Sequence, residues 1–190
     1  CGESEGLFED QTFTRTVHDV DAAITFLVAR GYENISLYGA SAGGCTALAT
    51  ALKHPEIFRL GCKSPTSDYP AIKIARWGQE YVDDWKKNGF AIHYHSDGRE
   101  LKIGYGWWED AQNYIMYGKA HLIIVPTLIV HGSKDIQVPL EQSERMVAGM
   151  PNAKLIVLQG ADHDGQINGD RSRCMKIIGD WFESGASPSQ

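Results

Sequence analysis

The sequence predicts an α/β domain: a mostly parallel sheet with helices on both faces. Three observations lead there. Short apolar runs alternate with stretches of helical periodicity along most of the 190 residues, and such alternation makes parallel strands joined by crossover helices. The run Thr127-Leu128-Ile129-Val130-His131 is strongly apolar, as in a strand buried on both faces. Hydrophobic residues make up 43% of the chain and charged residues 22%, enough apolar material for one core at this length.

Taken in order, Val17, Val20, Ile24 and Leu27 recur at helical spacing, with Thr14 as the expected N-cap and Gly31 as the stop. Residues 35–38 read as a short buried strand that ends in a Gly-rich turn. Residues 45–54 are rich in Ala and Leu and stop before Pro55, so they read as a helix. Residues 58–63 form a weaker strand candidate. The rhythm then breaks. Residues 68–121 hold four of the five tryptophans, Trp77, Trp85, Trp107 and Trp108. Within them, 71–87 and 107–119 look helical, and Asp97-Gly98 between 92–95 and 100–103 signals a hairpin turn. This is an insertion with its own small structure. Beyond it the rhythm resumes, with a strand at 127–131, a helix at 139–150, a strand at 154–158 and an amphipathic helix at 171–182. The chain therefore divides into a core at 1–67 and 122–184, a lid or cap insertion at 68–121, and a Ser/Pro/Gly-rich tail at 185–190 expected to be disordered.

Bulk properties exclude several function classes. The formal net charge is -6 with no long basic run, which argues against nucleic acid or an anionic membrane as partner. No apolar stretch is long enough to span a bilayer, and no secretory signal stands at the start. The chain opens at Cys1-Gly2-Glu3 without Met, and its beginning is expected to be missing. The four cysteines, Cys1, Cys45, Cys62 and Cys174, lie far apart with no Cys-x-x-Cys pair. They suggest no disulfide framework and no zinc site, but small buried thiols in a reducing compartment. A cytoplasmic location is the expectation.

Gly-x-Ser-x-Gly occurs twice. Around Ser4 it has no strand before it and no helix after it, and two carboxylates flank the serine, where they would oppose a developing oxyanion. Around Ser41 it sits between a strand and a helix, the context of a nucleophile elbow. The helix N-terminus beneath Ser41 offers backbone N–H groups to an oxyanion, with Ala42 as the assignable donor. A serine hydroxyl needs a base. Of the seven histidines, His163 stands apart, in a loop just past the last predicted strand, where functional loops of such sheets gather. His131 reads as a packed or supporting residue. The acid is expected between serine and histidine in chain order. Asp135, just past the strand at 127–131, fits, and Asp162 and Asp164 are weaker because sequence neighbours of the base usually point away from it.

Three motifs carry a resemblance: Gly39-Ala40-Ser41-Ala42-Gly43; His131-Gly132-Ser133-Lys134-Asp135 with Val138-Pro139; and Gly160-Ala161-Asp162-His163. They look like the signature loops of the α/β-hydrolase superfamily. Their flavour is similar to small cinnamoyl/feruloyl esterases and prolyl-oligopeptidase-like hydrolases. Such proteins carry a Gly-x-Ser-x-Gly loop like Gly2 to Gly6 ahead of the helix that precedes the elbow. The resemblance implies an α/β-hydrolase fold whose N-terminal strands are missing here, along with the loop that supplies the second oxyanion N–H. The elbow strand would then form an unpaired sheet edge, prone to self-association.

The expected function is that of a serine hydrolase cleaving a small-molecule carboxylic ester through an acyl-enzyme, with Ser41 as nucleophile, His163 as base and Asp135 as acid. Trp77 and Trp107 of the insertion would contact the substrate. No cofactor and no metal is implied. An amidase or peptidase on the same triad is one rival, and a non-catalytic hydrolase-like binding or scaffold protein is the other.

Overall fold

The computed structural model describes residues 5–54, 56–94, 98–165 and 170–184. A four-stranded parallel sheet runs in the order β1-β2-β5-β6, with β1 at Ser36–Ala40, β2 at Arg59–Lys63, β5 at Thr127–Gly132 and β6 at Ala153–Leu158. Between β2 and β5 the chain departs into the cap: α3 at Tyr69–Asn88, an antiparallel pair of β3 (Phe90–Tyr94) and β4 (Glu100–Gly104), and α4 at Tyr105–Ala111. The remaining helices are α1 at Phe13–Ala29, α2 at Ala42–Ala51, α5 at Leu140–Gly149 and α6 at Asp170–Glu183. Among the described residues, no helix is long and apolar enough to cross a membrane.

Side-chain alternation along the strands separates two cores. Leu37, Leu60, Cys62, Ile129 and Leu155 face one way, into a cluster with Val17 and Ile24 of α1, Leu48 of α2 and Met146 of α5. Leu128, Val130, Ile156 and Leu158 face the other way, against Cys174, Ile178 and Trp181 of α6. Gly61 of β2 lets α6 lie close: a Cβ there would sit 2.8 Å from both Ile178 Cγ2 and Phe182 Cζ. Helices cover both faces of the sheet, as expected, with α6 packed closest on β2 and β5. Tyr38 lies opposite Gly61 in register and is 38% exposed. Among the described residues β1 also has one strand neighbour, so its outer edge is unpaired, as expected.

Some local boundaries differ from expectation. Thr12, not Thr14, caps α1: its side chain accepts the Arg15 N–H. Thr14 is occupied by the cap, whose Asp110 accepts both the Thr14 N–H at 2.7 Å and its hydroxyl at 2.6 Å. Gly31 does end the helix, with φ +81 and the Tyr32 N–H returned to Leu27 O, a left-handed stop. The helix expected over 107–119 closes at Ala111 and continues as two 3-10 turns, 112–114 and 117–122. The Met116 N–H goes to Ser67 O of the core, and a donor spent there cannot continue a helical ladder. The helix expected over 71–87 spans Tyr69–Asn88 but breaks at Gly78, whose φ and ψ are 76 and 172. The Asp97-Gly98 turn, the Ser4 loop and the tail at 185–190 lie outside the described residues, wholly or in part.

The insertion has a hydrophobic cluster of its own, Val82, Trp85 and Trp108, and packs against α1 through an aromatic cluster. Phe13 of α1 packs against Trp107, Tyr114 and Tyr69, with ring centroids 4.6, 5.5 and 5.8 Å away. Gln142 of α5 completes the join. Its carbonyl accepts from the Ser67 and Asp68 N–H groups, and its amide donates to Asp68 O.

Candidate active site

Ser41, Asp135 and His163 follow β1, β5 and β6, so all three lie at the carboxyl edge of the sheet. Inter-strand hydrogen bonding continues past the strands and holds this edge in register. The Ser41 N–H donates to Lys63 O at 3.0 Å, the Ser64 N–H to Val130 O at 2.9 Å, and the Ser133 N–H to Leu158 O at 3.0 Å.

Ser41 occupies a strained turn, with φ 52 and ψ -123. A non-glycine residue there costs on the order of 1–3 kcal/mol, which the surrounding structure must offset. That support is visible. The Ser41 carbonyl accepts the Gly44 and Thr66 N–H groups at 2.9 and 3.0 Å. A Cβ on Gly39 would meet Gly43 O at 2.3 Å, and one on Gly44 would meet Pro65 Cβ at 2.7 Å. Space at Gly43 is open, so close packing is demanded at Gly39 and Gly44 rather than at the motif's second glycine. Ser41 sits at the N-cap of α2, yet its hydroxyl makes no capping bond. The hydroxyl is therefore not committed to the helix, while the Ala42 N–H opens that helix beside it.

Asp135 and His163 form a direct pair, with His163 Nδ1 2.7 Å from Asp135 Oδ2 and both residues 8% exposed. The other carboxylate oxygen, Oδ1, accepts the Gln137 and Val138 N–H groups at 2.9 and 2.8 Å, the side-chain-to-backbone turn that Asp favours. Burial pushes the Asp135 carboxyl up, but hydrogen bonds from His131, His163 and the Val138 N–H more than offset it. The carboxyl is held well below the usual carboxylate range. His131 lies in the second layer. Its Nδ1 is 2.7 Å from Ser143 Oγ, and its Nε2 is 3.0 Å from Val138 O and 3.3 Å from Asp135 Oδ2. Because a carbonyl can only accept, the proton belongs on Nε2, and the Ser143 hydroxyl donates to Nδ1.

The two loops interlock. The Lys134 N–H donates to Ala161 O, and the Gly160 N–H to Ser133 Oγ. Gly132 permits this approach, since a Cβ there would lie 2.4 Å from Ala161 O. Asp162 instead accepts the Gly165 N–H, and Asp164 faces Gln137. Among the described residues no hydrogen bond joins Ser41 to His163; in hydrolases such bonds often tighten only when substrate is bound. Lys63 was not singled out in the sequence, yet its amine donates to His163 O. A lysine closing an ordinary strand carries no sequence signal for this.

Trp107 is half-buried and lines a cavity of about 340 Å³ with Val20, Leu37, Tyr38, Ala42 and Gly43. Trp77 does not line that cavity. It is 43% exposed on α3, tilted over Tyr81, with Lys73 Nζ 4.0 Å above its ring. No cluster of histidine, cysteine and carboxylates among the described residues is arranged to hold a metal.

A model of the prolyl oligopeptidase family matches residues 7–187. The mouse serine hydrolase BPHL is 26% identical in an alignment of 176 residues that covers 82% of this chain and 58% of that protein. The chain thus spans little more than half the length of that relative. Among solved structures, mouse alpha/beta hydrolase domain-containing protein 10 superposes with a TM-score of 0.77 at 21% identity, over 96% of this chain and 74% of that one. Est1E from Butyrivibrio proteoclasticus with bound ferulic acid superposes with a TM-score of 0.70 at 24% identity, again over 96% and 74%. The fold is that of the α/β-hydrolases.

Proposed function

The chain belongs to the prolyl oligopeptidase family, and from that premise we propose that it is a serine hydrolase of carboxylic esters acting through a Ser41-His163-Asp135 triad. The observation that carries the reading is the buried 2.7 Å pair of His163 and Asp135 at the same sheet edge as a serine in a strained, uncapped turn. Each part has a role. Asp135, kept ionised, holds the His163 Nδ1 proton and so leaves Nε2 free to act as base. Ser41 Oγ attacks the ester carbonyl as its proton passes to Nε2. The Ala42 N–H, at the positive end of α2, stabilises the oxyanion. His163 then gives the proton to the leaving alcohol, and water hydrolyses the acyl-enzyme by the same steps in reverse. The cavity beside Ala42, walled by Trp107, Leu37 and Val20, suits an apolar or aromatic group of the substrate.

One observation favours a second reading. The family's own name is that of a peptidase, and the triad serves amides as well as esters. A panel of aryl esters and aminoacyl amides separates the two. The deciding experiment for the shared mechanism is labelling with a fluorophosphonate probe followed by peptide mapping. Adduct on Ser41 that disappears in a His163→Ala variant supports the triad. A protein that never labels is the scaffold of the remaining alternative.

A further inference from the structure

Lys63 bonds to the backbone of both Ser41 and His163. Its backbone carbonyl accepts the Ser41 N–H, and its half-buried amine donates to the backbone carbonyl of His163. Its strand explains the reach. In register, Lys63 pairs with Ala40 on the nucleophile strand and with Val130 on the acid strand. It therefore stands between the turn that carries Ser41 and the loops that carry Asp135 and His163.

Those two loops are already fastened to each other through Lys134, Ser133 and the Asp135–His163 bond. Such bonds set the imidazole against the carboxylate. They do not set the pair against Ser41, which belongs to another strand. The Lys63 amine ties the base loop to β2, and the Lys63 carbonyl ties the nucleophile turn to the same residue. A lysine suits this task. Lys63 lines, with Asp162, Gly165 and Cys174, a cavity of only about 10 Å³, and a cationic donor there can hold a carbonyl.

We propose that Lys63 is a positioning residue for acyl transfer, coupling the nucleophile turn to the base loop so that His163 Nε2 stays in reach of Ser41 Oγ. The inference rests on the triad reading above. Losing the amine leaves the Asp135–His163 pair bonded but free to drift relative to Ser41. A drift of roughly 1 Å costs on the order of a hundredfold in turnover. It leaves ground-state binding of the substrate alone, because Lys63 does not line the cavity beside Ala42.

The test compares Lys63→Met and Lys63→Arg with the unaltered protein, by steady-state kinetics on p-nitrophenyl butyrate and by rates of fluorophosphonate labelling. For Lys63→Met the expected result is a kcat lower by about 10- to 100-fold, a KM within about twofold, and labelling slowed in parallel. Lys63→Arg, which keeps a cationic donor, recovers most of the loss. Thermal melts establish that each variant is folded. Should Lys63→Met not fold, Lys63→Leu is read in its place. Unchanged kcat in the folded variant, a loss carried by KM, or no recovery in Lys63→Arg would each overturn the inference. The two proposals fail differently. If Ser41 never labels in the unaltered protein, the triad falls and Lys63 with it. If Ser41 labels equally fast with and without the Lys63 amine, Lys63 alone falls.

Discussion

β5 and β6 deliver their loops to the candidate site already bonded to one another, whereas β1 delivers Ser41 from a strand whose outer edge is unpaired among the described residues. Asp135 and His163 are each 8% exposed, and every polar atom of the Asp135 carboxylate is engaged. β1 by contrast leaves Tyr38 38% exposed and borders an open cavity. The Asp135–His163 half is thus held by its own hydrogen bonds. The Ser41 half depends on α2 and β2 behind it and, among the described residues, has no strand on its other side. Chemistry that needs all three residues inherits the tolerance of the tighter half and the vulnerability of the looser one.

The largest test of this contrast is removal of the nucleophile. Ser41→Ala should lower turnover of a p-nitrophenyl ester by roughly six orders of magnitude, as in a well-studied serine protease. Ser4→Ala should leave it unchanged. Comparable activity in the Ser41→Ala protein ends the assignment.

Next comes the acid. Asp135→Asn should cost about four orders of magnitude by favouring the wrong imidazole tautomer, while Asp162→Asn and Asp164→Asn, which bond elsewhere, should cost less than about tenfold. Acid unfolding reads the same residue independently. The native carboxyl is held below the usual range, so its contribution to stability is full above an unfolded-state pKa of about 3.9. That contribution is lost as pH falls toward the native value, because only the unfolded chain binds the proton. Asp135→Asn should therefore show a shallower loss of stability below about pH 4, measured by urea midpoints across pH. Equal slopes would mean that Asp135 is not the ionised group the geometry indicates.

The aromatics of the cap should separate by burial. Trp107→Ala removes a ring packed 4.6 Å from Phe13 and should destabilise by about 3 kcal/mol while also changing the preference among acyl groups. Trp77→Ala, at a 43% exposed position, should cost less than about 1 kcal/mol. Denaturant midpoints and a chain-length series of esters provide both readings. A change of acyl preference in the Trp77 variant alone would move the substrate to the outer side of α3.

The smallest effect concerns the open edge. We propose that a second copy of this chain pairs there, so light scattering should show self-association that weakens in Tyr38→Lys, a charge placed at a 38% exposed position of β1. A monodisperse unaltered protein removes this proposal and leaves the edge strand protected by other means.

Much of this arrangement was legible from residue order. The strand–turn–helix around Ser41, the apolar strand before Asp135 and the loop holding His163 follow from local periodicity and turn chemistry, and α/β alternation then puts all three at one sheet edge. His131 was readable only as a supporting residue. Its bonds to Ser143, Val138 and Asp135 arise where α5 packs on β5. The break in the helix expected over 107–119 was not readable either, because the Met116 N–H is drawn away by Ser67, a residue about fifty positions upstream.

Chain order alone thus decides the fold class, the strand order of the reacting residues and the identity of the turn that can strain a serine, since these rest on interactions within a few residues or on the handedness of successive βα units. Tertiary structure decides which carboxylate meets His163, that Tyr38 of β1 stays partly exposed, and that Lys63 reaches both the Ser41 turn and the His163 loop. Each of these depends on segments distant in sequence. No pattern along the chain specifies it; it is set by how the packed strands and helices place side chains in space.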